Sequence, residues 1–169
     1  MTTKQLPDPA KVAFGDFENE LNSTRTMLER VPTDQLSWRP HEKSSTLGAL
    51  AQHVANLPWF VSLGVNQDEY DMAGWQPPPD ATSTKQILEQ FEQQAAAATA
   101  ALEKLKPEML LESWTLRMGE QVFFTLPRVA VVRTFAISHM VHHRAQLAVY
   151  LRLLNVPVPG LYGPSADER

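Results

Sequence analysis

Apolar residues recur at helical spacing in four long stretches of this chain. In the first, over residues 10–31, Phe14, Phe17, Leu21, Leu28 and Val31 step by threes and fours, with Thr24 in the missing place. That spacing gathers one apolar stripe on a helix of about six turns, with polar residues opposite it. Pro32 ends the stretch, and residues 1–9, with Pro7 and Pro9, are expected to form a loose leader. In the second stretch Ser44, Ser45 or Thr46 can cap a helix running to about Gly64, with Leu47, Leu50, Val54, Leu57 and Val61 as its buried stripe. His53 lies at the edge of that stripe and is expected to point inward. Pro58 cannot donate to the Val54 carbonyl, so a kink or an end is expected about one turn past His53.

The third stretch opens on Ser83-Thr84-Lys85-Gln86, a capping-box pattern. Leu88, Phe91, Ala95, Ala98, Leu102 and Leu105 follow at three–four alternation, and Pro107 closes the helix. The fourth begins at Pro127, a residue suited to a first helical turn. Its stripe is Val132, Ala136, Met140, Leu147, Tyr150 and Leu154, and Asn155 with the Val-Pro-Val-Pro-Gly run stops it.

The connections are long. Residues 32–45 (Trp38, Pro40, His41) suit a loop packed over the end of a helical bundle. Residues 65–82 are polar and proline-rich, and a structureless loop of that length is uncommon unless it shapes a site or a partner surface. Within residues 108–126, Trp114-Thr115-Leu116 and Gln121 to Thr125 are β-prone around Met118-Gly119-Glu120, which predicts a short hairpin or extended crossover before the last helix. Four long helices with two long crossover connections define the expected fold, an all-α four-helix bundle forming one domain over residues 1–169. Leu161 and Tyr162 are expected to dock the irregular tail onto it.

Composition narrows the function classes. A formal net charge of -4 without a Lys/Arg cluster argues against nucleic acid as a partner. No cysteine is present, which removes disulfides, thiolate metal sites and cysteine nucleophiles. The first residues lack the apolar core of a signal peptide, and nowhere do about 18 apolar residues run together as a membrane span would need. A cytoplasmic protein without a membrane partner is the expectation.

The chemistry lies in the histidines. Residues 137–150, ISHMVHHRAQLAVY, hold three of the five. A step of four on a helix places His139 and His143 on one side, about 5–6 Å apart at Cβ. Both fall in or beside the buried stripe, where valine or leucine belongs. A lone core histidine is ordinarily a satisfied polar group. Three of them, with His53, need partners for six ring nitrogens, and a metal ion would consume their lone pairs. Spacing alone does not choose between the pairs 139/143 and 139/142. His41, in a loop, is expected to face solvent. Neutral imidazoles suit Zn, Ni, Fe or Cu better than Mg or Ca, and three protein ligands leave a position open for water or substrate. No Ser-His-Asp set, phosphate-binding loop or GxGxxG accompanies them.

Leu50-Ala51-Gln52-His53-Val54-Ala55-Asn56-Leu57-Pro58 resembles the second-helix motif of the DinB-like (DinB/YfiT) family. His139-Met140-Val141-His142-His143-Arg144-Ala145-Gln146-Leu147 resembles its HxxxHRxQ signature, and residues 154–168 resemble its tail. The resemblance implies a four-helix bundle, often a homodimer, with a divalent metal held by His53, His139 and His143. Zn or Ni comes first for that ion, with Fe or Mn behind them. Arg144 and Gln146 match the motif without a ligand role and are expected to orient or pack the helix.

Two functions follow. One is a metal-dependent enzyme acting on a small-molecule substrate, by transfer to a low-molecular-weight thiol or by hydrolysis. Residues 65–82 and 108–126 would line its pocket, Trp59, Tyr70 and Trp75 are candidate walls, and Glu89 and Glu92 are candidate general bases. The other is a non-enzymatic, stress-related dimeric bundle stabilised by its ion. A solvent-accessible ion beside a pocket favours the first.

Overall fold

The structure is a computed structural model that describes residues 8–168. Of the expected leader, residues 1–7 lie outside the described residues, whereas Pro9 opens helix α1 (Pro9–Phe14). The Asp8 carboxylate caps this helix by accepting the Ala10 amide at 2.9 Å. The single helix expected over residues 10–31 is interrupted at Gly15 and Asp16, after which α2 (Phe17–Leu28) resumes. Gly15 is a poor helix former, and the Arg133 guanidinium reaches in to bond the Ala13 carbonyl at 3.2 Å and Asp16 Oδ1 at 2.6 Å.

Helix α3 (Leu47–Asn56) is capped by Thr46, whose hydroxyl accepts the Ala49 amide at 3.2 Å. Leu57 and Pro58 keep helical dihedrals before α4 (Trp59–Asn66), so Pro58 kinks the stretch as its missing N–H requires. Gly64 allows α4 to come close to the last helical stretch, because a Cβ there would stand 3.3 Å from Val132 Cγ2.

The fold is mostly helical, and the all-α expectation is corrected by a small three-stranded sheet. Strand β1 (Glu69–Asp71) pairs in parallel with β2 (Ser113–Met118), which pairs antiparallel with β3 (Gln121–Pro127), in the order β1-β2-β3. The hairpin was legible. β1 was not, since three residues with one apolar side chain carry no period-two signal. Arg117 fastens it, donating from Nη2 to Glu69 Oε1 at 2.8 Å and from Nη1 to the Asp71 carboxylate. The 65–82 segment is therefore partly ordered as strand. Trp114 packs with Leu63 and Val131 as a small separate core under the sheet.

Helix α5 (Thr84–Lys104) starts where Ser83 Oγ accepts the Gln86 amide at 3.3 Å, while Gln86 Oε1 accepts the Thr82 amide at 2.8 Å. Its buried face is Ile87, Phe91, Ala95, Ala98 and Ala101, with the expected Leu88 and Leu102 only half-buried at its margin.

The last helical stretch is three segments: α6 (Arg128–Val131), a π-helical segment Val132–Ser138, and α7 (His139–Leu153). Pro127 precedes it in extended conformation, as the end of β3, and does not occupy the first turn. Arg128 is buried and donates to the Gly64 carbonyl at 2.9 Å and to Glu112 Oε2 at 3.1 Å, and also to Asp68. It thereby ties α6 to the end of α4. Helices α2, α3, α5 and α7 surround a common core that includes Leu28, Val54, Phe91, Met140 and Leu151. Asn155, at φ 57°, turns the chain out of α7. Leu161 packs against the core as expected, and Tyr162 docks through its hydroxyl rather than its exposed ring.

Candidate metal centre

His53 comes from the last full turn of α3 before the Pro58 kink, and His139 and His143 from the first turns of α7. Their ring nitrogens converge. His139 Nε2 stands 3.3 Å from His53 Nε2 and 2.9 Å from His143 Nε2, and one ligand atom from each of the three lies within 4.8 Å of the others. The i,i+4 pair is the one brought together. The His142 ring turns aside, and its Nε2 accepts from the Gln146 amide at 3.1 Å. His41 is exposed in its loop, its Nδ1 accepting the Lys43 amide at 3.1 Å.

The partners of the other nitrogens assign the protons. Gln146 Oε1 lies 2.8 Å from His143 Nδ1, and an amide oxygen can only accept, so that nitrogen carries the hydrogen. The His139 amide bonds the carbonyls of Thr134 and Ala136, the first in the five-residue step of a π-helix. The Phe135 backbone acts on the His139 imidazole in the direction that raises its pKa. With its Nδ1 protonated, His143 presents the Nε2 lone pair to the centre of the cluster, 2.9 Å from His139 Nε2. That lone pair is open to a hydrogen on a neighbouring ring nitrogen or to a cation at the centre.

A proton is a poor candidate for that cation. Burial, then the neighbouring His143 and His139, push the His53 pKa down to about 4. Burial and His143 also lower His139, only partly opposed by its bond to Phe135. His53 nevertheless keeps an exposed edge, so its shift reflects the crowding of the nitrogen end of the ring. A divalent ion fits better. Tetrahedral nitrogen ligands about 2.0–2.1 Å from zinc stand about 3.3 Å apart, near the 2.9 and 3.3 Å that His139 Nε2 keeps from His143 and His53. The three histidines could hold a metal ion.

His53 also forms part of the wall of a cavity of about 570 Å³. Trp59, Tyr70 and Trp75, the expected wall aromatics, all line it, joined by Phe60 and Phe135. Phe60 stands 6.5 Å from the His139 ring, centroid to centroid, and Trp59 meets Tyr70 edge-on at 5.2 Å. Of the expected lining segments, 65–82 supplies Tyr70, Met72, Trp75, Pro77, Pro78 and Asp80, and 108–126 supplies Leu116.

Neither candidate base reaches this cavity. Glu92 is paired with Arg25 at 2.5 Å, on the side of α5 facing α2, and exposed Glu89 lies 3.7 Å from Lys85. Both are ordinary surface carboxylates. Asp80 is the acidic residue on the cavity wall, and a coil position gave no periodic signal to find it.

Arg144 goes beyond the packing role expected of it. It is buried to 1% exposure and donates to the Glu20 carbonyl at 2.9 Å, to Thr24 Oγ1 at 3.0 Å and to Glu20 Oε2 at 2.5 Å. The Tyr162 hydroxyl closes the network, 2.8 Å from the same Glu20 oxygen. This buried ion pair joins α7, one residue past His143, to α2 and the tail. Its signal was present in the spacing: Met140, Arg144, Leu147 and Leu151 form one unbroken buried row.

These features define a mostly helical protein with a three-histidine cluster at the side of an aromatic cavity. The chain belongs to the DinB family, whose model matches residues 1–169. It is 26% identical over 155 residues to the uncharacterized protein YrdA of Bacillus subtilis (strain 168), covering 90% of this chain and 87% of that protein. A crystal structure of a DinB-like protein from Bacillus cereus ATCC 10987 superposes with a TM-score of 0.71 at 24% identity, over 89% of this chain and 95% of that one. The DinB-like YjoA of Bacillus subtilis gives 0.69 at 17% identity, over 94% and 99%. At these identities the two structures support the fold alone. Among the described residues no helix is long and apolar enough to cross a membrane.

Proposed function

We propose that this protein is a metal-dependent enzyme of four-helix-bundle architecture, its divalent ion held by His53, His139 and His143. The observation that carries this reading is the convergence of three ring nitrogens, His139 Nε2 standing 2.9 Å from His143 Nε2 and 3.3 Å from His53 Nε2, at the edge of a cavity. Three neutral imidazoles favour Zn or Ni, with Fe or Mn as alternatives. When bound, such an ion supplies a Lewis acid that acidifies a water or a thiol. The chain's own part is positional. Gln146 holds the His143 ring in the tautomer that presents Nε2, and aromatic side chains wall the cavity beside His53.

Thiol transfer and hydrolysis are the two reactions this site suits, on a small-molecule substrate, in a homodimer as the family resemblance implies. The alternative, an ion that only stabilises a stress-related dimer, is disfavoured by the exposed edge of His53 and its cavity, since structural sites are closed. The test is metal content by inductively coupled plasma mass spectrometry on untagged protein, beside His53→Ala and His139→Ala. Near-stoichiometric metal that both substitutions remove supports the proposal. A wild-type protein that takes up neither Zn, Ni nor Mn overturns it.

A further inference from the structure

The polar groups on the cavity wall are mostly spoken for. Gln52 is satisfied at both ends, donating to the Pro79 carbonyl at 2.8 Å and accepting the Ala81 amide at 3.0 Å. Its amide thus pins the proline-rich strap that closes one side. Asn56 Oδ1 accepts from Gln90 Nε2 at 2.5 Å. What remains is aromatic and aliphatic surface, with the Tyr70 hydroxyl, Asp80 and Gln94 at the wall and no Lys or Arg among the described lining residues.

We infer that the cavity beside His53 binds an uncharged apolar group of aromatic size, and that the substrate carrying it presents one metal-binding atom to the histidines. The metal-binding half rests on the proposed function, and the apolar half stands on the cavity itself. Away from the histidines, a carboxylate or phosphate body would be desolvated against Trp59, Phe60 and Phe135 with no Lys or Arg to meet it, and Asp80 would repel it. A flat apolar body instead finds aromatic faces and edges, the contacts on which aromatic groups pack best. About 570 Å³ admits one or two fused rings in a site of drug-like size. The apolar part of the substrate therefore supplies most of its recognition, and a small polar thiol gains little from these walls.

Two measurements on the full chain test this. With zinc-loaded protein, calorimetry compares benzyl mercaptan, 2-mercaptoethanol and 4-(mercaptomethyl)benzoate. Benzyl mercaptan is expected to bind at least about tenfold more tightly than 2-mercaptoethanol, as burial of a phenyl ring predicts. The benzoate is expected to be weaker than benzyl mercaptan, and Asp80→Asn to narrow that gap. With metal-free protein, the uncharged fluorophore N-phenyl-1-naphthylamine is titrated against wild type, Trp75→Ala and Trp59→Ala. Trp75 lies on the loop and is 49% exposed, so its removal spares the core. At least about threefold weaker binding by both variants is expected from the lost ring contact. Equal or tighter binding of 2-mercaptoethanol, or fluorophore binding indifferent to both tryptophans, overturns the inference. If zinc does not bind, the metal reading falls, and the fluorophore titration alone upholds or overturns the cavity assignment.

Discussion

Gln146 Oε1 accepts the Nδ1 hydrogen of His143 at 2.8 Å, one helical turn along the same face of α7. The same amide donates to His142 Nε2 at 3.1 Å, which fixes the orientation of the amide itself. A residue with no ligand role therefore determines which nitrogen His143 offers to the centre.

Gln146→Ala is expected to weaken zinc binding by about 10–100-fold while leaving the fold intact, as loss of an outer partner of a ligating histidine does. Competition against a chromophoric chelator measures it. An unchanged affinity would show that helix packing alone orients the ring.

Metal-free protein is expected to lose stability in acid. His53 is depressed from the ordinary histidine value near 6.5 to about 4, and His139 is depressed as well. The unfolded chain takes up these protons first, so the contribution is intact above about pH 6.5 and falls away between there and about pH 4. Because His53 is exposed along one edge, its share is on the order of 1 kcal/mol after solvent screening. Urea midpoints across this range should flatten in His53→Gln, and an equal slope in that variant would place the proton uptake elsewhere.

Arg144→Leu is expected to cost about 3–5 kcal/mol, because Glu20 would remain buried with its charge unpaired. Removing both partners in Arg144→Leu/Glu20→Leu should recover much of this, as buried pairs replaced by apolar residues often do. Denaturant unfolding of the single and double variants decides it. A double variant no better than the sum of its parts would mean that the loss lies in packing.

Glu92→Gln is expected to leave metal content unchanged and to cost no more than about 1 kcal/mol, the usual worth of an exposed ion pair. Metal analysis and a thermal melt suffice. A loss of metal would bring this carboxylate back into the site.

The helices, and the place of the histidines on their buried sides, were legible because burial writes a period of three and four into the sequence, and the rows through Leu47–Val61 and Val132–Leu147 carried it. Which histidine accompanies His139 was not legible from spacing, since 142 and 143 are both helical neighbours. The choice depends on the phase in which α7 packs, which turns His143 toward His53 and leaves His142 aside against Gln146. β1 was hidden because three residues held mainly by Arg117 and by backbone pairing need no apolar pattern. Asp80 and the closing strap were hidden for a similar reason: Gln52, some 27 residues away, determines their position by hydrogen bonds. The break at Gly15 depended on Arg133, more than a hundred residues later.

The π-helical segment Val132–Ser138 sits between two anchors with different duties. Arg128 fastens the start of the stretch to α4 and the sheet, while Arg144 fastens its later part to α2. A wider turn between them works as a phase adjuster: it resets the rotation of α7 without moving α6. Forcing the same residues into ordinary α winding would turn everything downstream by about 100°, the angle of the one extra residue that the wider turn absorbs. His139 and His143 would then swing away from His53 together, and Arg144 from Glu20, although every side chain that makes the cluster would still be present.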